Sequence, residues 1–375
     1  MTFLLSVTVG QVFAKIGYIL IALLVLMFMI TIHELGHYTF GKLLKFKITE
    51  FSIGMGPKIF QKKHKTTDEK FSIRAIPLGG YCSFDGEDEE KLNSPDAFNN
   101  QKPWKRLIVL FGGVLFNFVS AILIAIIAFS CFGEYRLTTY TIYETSPNYD
   151  NNTIQLGDII LGINGKDIYF PADYTELIQE SGDSASVTVF RPTDKTAPVT
   201  KISDKQGEIL TLLNVKIYTY KIIGEDGKEK TYNDFGIRVK SSAERIVTPF
   251  FQSFGRGFVF CGKVGTVVLK TLGQLITGVI GIESVGGPIT TIDMIASIVA
   301  VDFTSILFLI VLISVNLAVF NLLPLPALDG CRMIFVLIEW IRGKPINRKV
   351  ESWIHAVGII LLLAFVIFID VFKWF

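Results

Sequence analysis

Four apolar runs, each long enough to cross a bilayer, constrain this chain more than anything else in it. They are roughly Phe13 to Ile32, Leu107 to Phe132, Phe303 to Leu328 and Ile354 to Ile369. The second and third carry no charge, and neither does Ile16 to Ile32. A hydrocarbon interior offers no water to backbone N–H and C=O groups, so such runs are expected as helices. Trp353 and Trp374 are expected as interfacial anchors of the fourth. The chain is 50% hydrophobic, yet it is rich in charge between the second and third runs. That combination predicts a membrane part plus a soluble module.

Charge sets the orientation. Between Lys42 and Lys65 stand seven lysines and one acid, and between Arg332 and Ser352 five basic residues and two acids. Gly133 to Asp302 holds 20 acids and 16 basic residues. The positive-inside rule puts the first two regions in the cytoplasm and the third outside. The first helix then ends, and the third run ends, at the cytoplasmic face. A net charge of +2 without a long basic cluster gives no reason to expect a nucleic-acid partner. The cysteines Cys82, Cys131, Cys261 and Cys331 are far apart, match no zinc or disulfide spacing, and read as small buried hydrophobes.

Two soluble segments have a pattern. Thr49 to Phe60 and Phe71 to Tyr81 alternate apolar and polar residues between Gly54-Met-Gly-Pro57 and Pro77-Leu-Gly-Gly80, predicting a cytoplasmic-side β-hairpin or sheet. Its free edge, taken as Thr49 to Phe60, is expected to pair with an extended peptide. Leu137 to about Lys240 has strand-like runs at Asp158–Gly165, Ser186–Phe190 and Leu210–Val215, with one helical stretch, Tyr174–Glu180. From Ala243 to Gly281 the period becomes helical, with Arg256, Lys263 and Lys270 seven apart on one face. That predicts one or two amphipathic helices along the outer membrane surface rather than a fifth span.

His33-Glu34-Leu-Gly-His37 closes the first apolar run. A helix puts residues four apart on one face, so both imidazoles can hold one zinc ion, with Glu34 beside it to take a proton from water. Ionisable groups at membrane depth are functional by default. A catalytic zinc needs a third protein ligand, and Asp329 is the best candidate. It follows Asn321-Leu-Leu-Pro-Leu-Pro-Ala-Leu at the same depth, where Pro324 and Pro326 break the helix and Gly330 permits a turn. Asn316 and Asn321 need partners in or beside an uncharged run. A neighbouring helix and a bound substrate are equally open, and Asn117 is more ambiguous still. His64 and His355 are read as unrelated to zinc.

Taken together, these motifs resemble the site-2 protease family, peptidase family M50, in its bacterial branch. Phe51-Ser-Ile-Gly-Met-Gly-Pro, Ile76-Pro-Leu-Gly-Gly-Tyr81 and Phe111-Gly-Gly-Val-Leu-Phe-Asn117 also fit its pattern. The resemblance spans nearly the whole chain. It implies zinc held by His33, His37 and Asp329, Glu34 as catalytic base, and substrate handling by Asn316 and Asn321. It implies cleavage, in a bacterial inner (plasma) membrane, of single-span membrane proteins or remnant signal peptides. The outer module, with Gln155-Leu-Gly-Asp-Ile-Ile-Leu-Gly-Ile-Asn-Gly165, resembles a PDZ domain. Related enzymes carry two such domains where this chain has room for one, and commonly have glycine where Cys331 stands.

The fold expected is therefore a membrane protein with four transmembrane α-helices, a cytoplasmic-side β-sheet, an extracytoplasmic PDZ-like domain and an amphipathic interfacial helix. The division expected is 1–134 for the first membrane half, 135–242 for the PDZ-like domain, 243–300 for the interfacial helices and 301–375 for the second membrane half. Two rivals are a membrane-anchored PDZ adaptor with a structural or vestigial zinc site, and a metal-ion transporter. An intact Glu34 argues against the first, and the PDZ-like module and single compact ligand set against the second.

Overall fold

A computed structural model describes residues 9–87, 96–149, 153–203, 205–223, 229–281 and 286–372; Trp374 lies outside them. The chain divides into two compact units, Ile126–Phe260 and the rest.

The larger unit is helical. The helix α1 runs Val9–Leu43 and α2 runs Pro103–Ile127, where Pro103 stands at a first helical position that needs no N–H. Later in the chain come α4 (Phe250–Ile276), α5 (Pro288–Val301), α6 (Ile306–Leu322), α7 (Asp329–Arg342) and α8 (Arg348–Phe372). Among the described residues five helical stretches are long and apolar enough to cross a membrane: Phe13–Leu43, Pro103–Phe132, Phe250–Ile276, Phe303–Leu322 and Lys349–Ile369. By length and composition the third joins the four expected from sequence. Its interior glycines do not break it. Arg256, expected on an open charged face, is instead buried, with Nε 2.8 Å from Glu134 Oε1 and its guanidinium 4.3 Å from the Tyr169 ring centre. One of the three charges that argued against a fifth span is thus met by a carboxylate, Glu134, within the unit Ile126–Phe260.

The third apolar run is helical only to Leu322, and Asp329 then starts a separate helix. Two buried clusters hold the helices together. Ala22 and Val25 of α1 meet Ile295 and Val299 of α5 and Leu309 of α6. Val109 and Leu110 of α2 meet Val336 of α7 over Phe46, Phe84 and Phe98. The buried Arg106 of α2 pairs with Glu339 of α7, and Arg332 of α7 pairs with Glu87.

Between α1 and α2 lie β1 (Ile48–Lys63) and β2 (Lys70–Phe84), paired antiparallel. Both strands bend at glycines, Gly54 and Gly56 at φ +81° and Gly79 at φ +89°, a conformation costly for other residues. The halves therefore lie side by side. Glu50–Ile53 is flanked by Gly80–Ser83 on one side and by Lys70–Ile73 on the other. The first half of the expected free edge, Thr49 to Phe60, is thus interior. The outer margins are Lys58–Lys63 and Gly80–Phe84.

The smaller unit holds β3 (Leu137–Ile142), β4 (Ile159–Ile163), β5 (Lys166–Asp167), α3 (Pro171–Gln179), β6 (Ser184–Pro192), β7 (Gly207–Lys216), β8 (Tyr218–Ile223), β9 (Glu229–Asp234) and β10 (Ile237–Ser241). The main sheet runs β10-β3-β4-β6-β7 with β5 on β4, and β8–β9 form a separate ribbon. Ile160, Ile163, Val187, Val189 and Phe235 form its core, against which α3 lays Leu177 and Ile178. The sequence motif has a visible reason. Asp158, wholly buried, accepts from Gln155 N–H at 2.8 Å and takes both Nε and Nη2 of Arg191 at 2.9 and 2.8 Å. Asn164 and Gly165 both have positive φ, as a two-residue hairpin turn requires.

Candidate metal centre

His33 and His37 lie one turn apart on α1, both buried, with their Nε2 atoms 3.1 Å apart. Asp329, the first residue of α7, brings Oδ2 to 2.9 Å from His33 Nε2 and 3.2 Å from His37 Nε2. Among the described residues this is the one group of three such donors able to hold a metal ion. Three lone pairs facing one another at such distances repel unless a cation lies among them. Zinc takes nitrogen and carboxylate ligands at about 2.0–2.2 Å, which in a tetrahedral site sets donors roughly 3.3–3.5 Å apart. The observed triangle is slightly tighter and fits such an ion after small outward shifts.

The second helix sets the state of the imidazoles. His37 Nδ1–H donates to the Val109 carbonyl at 2.8 Å, which leaves the Nε2 lone pair for a metal. His33 Nδ1 lies 3.4 Å from the Asn117 side-chain amide, itself fully buried, whose Oδ1 as placed has no partner among the described residues. The amide orientation that satisfies both groups turns Oδ1 toward Nδ1–H, and again frees Nε2. The backbone of Asn117 is held in turn by α6, where Ser314 Oγ donates to its main-chain carbonyl at 2.7 Å.

Helix α2 can come this close because its contact is glycine. A Cβ on Gly113 would stand 2.6 Å from both His33 Cε1 and His37 Nε2, and one on Gly36 would meet the Gly112 carbonyl and, at 2.8 Å, the Gly113 Cα. The residue between Leu35 and His37 in the zinc motif is therefore part of the α1–α2 contact.

Glu34 faces the hairpin. Its Oε2 accepts the Cys82 backbone N–H at 2.9 Å, from the outer margin of β2. The Cys82 thiol is pushed up by burial first and by the Glu34 charge second, so it stays protonated. One turn further along α1, Tyr38 and Leu35 line a cavity of about 410 Å³ with Phe51, Lys62, His64, Glu69 and Phe71.

The structure thus brings together His33, His37, Glu34 and Asp329. Asn316 and Asn321, both half-buried on α6, are not among the groups found against the three donors. His64 is exposed at the hairpin tip, bonded to Thr67 at 3.1 Å. His355 on α8 instead accepts the Ala327 N–H at 3.1 Å, two residues before Asp329. Val109, Gly113, Asn117 and Ser314 were not assigned from sequence. Asn117 carried a signal, a polar group in an uncharged run, and Gly113 stood beside it in a motif of the family resemblance.

A model of peptidase family M50 matches residues 21–365. A protein of Fusobacterium nucleatum bearing a zinc-metalloprotease name is 31% identical over 361 residues, 95% of this chain and 99% of its own length. One of Clostridium perfringens with such a name is 32% identical over 94% of this chain and 97% of its own. A third, of Nostoc, is 30% identical over 94% of each.

Proposed function

The chain belongs to peptidase family M50 and is a zinc metalloprotease with several membrane-spanning helices, and from that premise we propose that His33, His37 and Asp329 hold its zinc and that Glu34 is the catalytic base. The substrate in this reading is a single-span membrane protein or remnant signal peptide, cut within or near its transmembrane segment. The observation that carries it is the triangle of donors, two buried and one half-buried, with Glu34 in the same turn of α1 as the histidines. Bound zinc supplies a Lewis acid that acidifies water and polarises a carbonyl. Glu34 accepts a proton from the attacking water and returns it to the leaving amine, so water is consumed and a new carboxylate and amine are released.

A helical substrate hides its carbonyls in its own hydrogen bonds, so the scissile stretch must be extended before attack. The margin Gly80–Phe84, not Thr49–Phe60, is the edge suited to hold it, because Cys82 on that margin already touches Glu34. A photo-crosslinking residue at position 82 is expected to capture substrate on an inactive variant, and one at position 59, on the far margin, is not. Equal capture at both would sink the edge assignment.

The lysine-rich segment 42–65 favours a cytoplasmic position for the hairpin and an outside position for residues 135–242 in a bacterial inner membrane. That segment reads as one PDZ-like domain that limits access by bulky substrates. The overall test uses purified protein and a model single-span substrate. Chelation is expected to stop cleavage and added zinc to restore it. Undiminished cleavage by zinc-free protein would overturn the reading.

A further inference from the structure

We propose that His355 is a positioning residue for the third metal ligand. The inference rests on Asp329 being that ligand. Between the end of α6 at Leu322 and the start of α7 at Asp329 the chain makes a tight reversal. Pro324 and Pro326 have no N–H to anchor it. Gly330 is wedged against the Leu322 and Leu323 carbonyls, where any side chain would collide. Ala327 stands at φ +81°, a left-handed conformation that is costly for a residue with a Cβ and persists only where its surroundings enforce it.

The enforcing group comes from α8. His355 Nδ1 accepts the Ala327 N–H at 3.1 Å, across 28 residues of sequence. One turn on, Gly358 lies directly under Pro326, with a Cβ there reaching 3.2 Å from the Pro326 carbonyl carbon. The imidazole is gripped in turn by Phe335 of α7, edge to face with ring centres 5.7 Å apart. The ring therefore touches the loop before α7 and the body of α7 at once. Asp329 lies between those two contacts in the chain. Its carboxylate is fixed relative to His33 and His37 only as well as the ring fixes the reversal.

The distinguishing variants are His355→Phe and His355→Leu, which remove the acceptor, and His355→Asn, which keeps an acceptor oxygen near the place of Nδ1. Zinc affinity is read by chelator competition on the full chain in detergent, with the thermal midpoint of the zinc-free protein beside it and Asp329→Ala as reference. His355→Phe or His355→Leu is expected to weaken zinc roughly 10- to 100-fold, the size usual for groups that orient a ligand. His355→Asn is expected within about threefold of wild type, with zinc-free midpoints alike across the set. Wild-type affinity in whichever acceptor-free variant folds would overturn the proposal. So would His355→Asn binding as weakly as those variants. Undiminished zinc binding by Asp329→Ala would instead overturn the ligand assignment.

Discussion

Glu34→Gln is expected to lower single-turnover cleavage by roughly 10³–10⁴-fold while zinc content stays near that of the wild type. Gln keeps the shape of Glu but is neutral, with an NH2 donor in place of one carboxylate oxygen, so it cannot take a proton. Its Oε1 can still accept the Cys82 N–H, so the margin of β2 stays in place. The three donors proposed for the zinc lie on His33, His37 and Asp329 and are untouched. A loss of that size is about 4–5.5 kcal/mol of transition-state stabilisation, too much for a group that merely helps to bind substrate. Substrate affinity is therefore expected to hold while kcat falls. Cleavage within tenfold of wild type would remove Glu34 as the base, and loss of zinc together with activity would make it a structural partner of the site instead. The same variant separates a protease from a membrane-anchored adaptor, whose binding would be indifferent to it.

The four residues at the centre were legible because their signals are local. The spacing of His33, Glu34 and His37 is that of one helical turn, and Asp329 announces itself through the prolines and glycine around it. Three strands of the smaller unit, β4, β6 and β7, were legible as short apolar runs, and β4 is bounded by the short-range devices Gln155–Asp158 and Asn164-Gly165, whereas β3 and β8 to β10 were not singled out. What the sequence hid depends on chain segments meeting. Glu50–Ile53 looks like an edge strand until the bends at Gly54 and Gly79 fold two neighbours around it. Arg256 looks like an exposed charge until Glu134, over a hundred residues away, is placed against it. His355 looks like a stray histidine until Ala327 is seen to donate to it. Asn117 is an intermediate case, since a buried amide in an uncharged run must have a partner, but only the fold names His33.

Gly113→Ala carries the second large effect, and it tests the α1–α2 contact on which both histidines depend. The added methyl would lie 2.6 Å from an atom of each imidazole, where ordinary contact begins near 3.4 Å. Neither ring can yield freely, because His37 is tied to the Val109 carbonyl and His33 lies against Asn117. Both residues are on α2 itself, so pushing the helix outward drags those partners with it. Zinc affinity is expected to fall at least about 100-fold, more than displacing a single orienting group costs, since two ligands move at once. Ala is otherwise the better helix former by about 1 kcal/mol, so propensity works against the expected loss rather than for it. Gly17→Ala on α1, where a methyl meets nothing within 4 Å, supplies the matched control and is expected to leave zinc binding unchanged. Chelator competition on the two variants decides the matter. If Gly113→Ala binds zinc as the control does, the helices do not approach as described, and the tautomers assigned to His33 and His37 lose their support along with it.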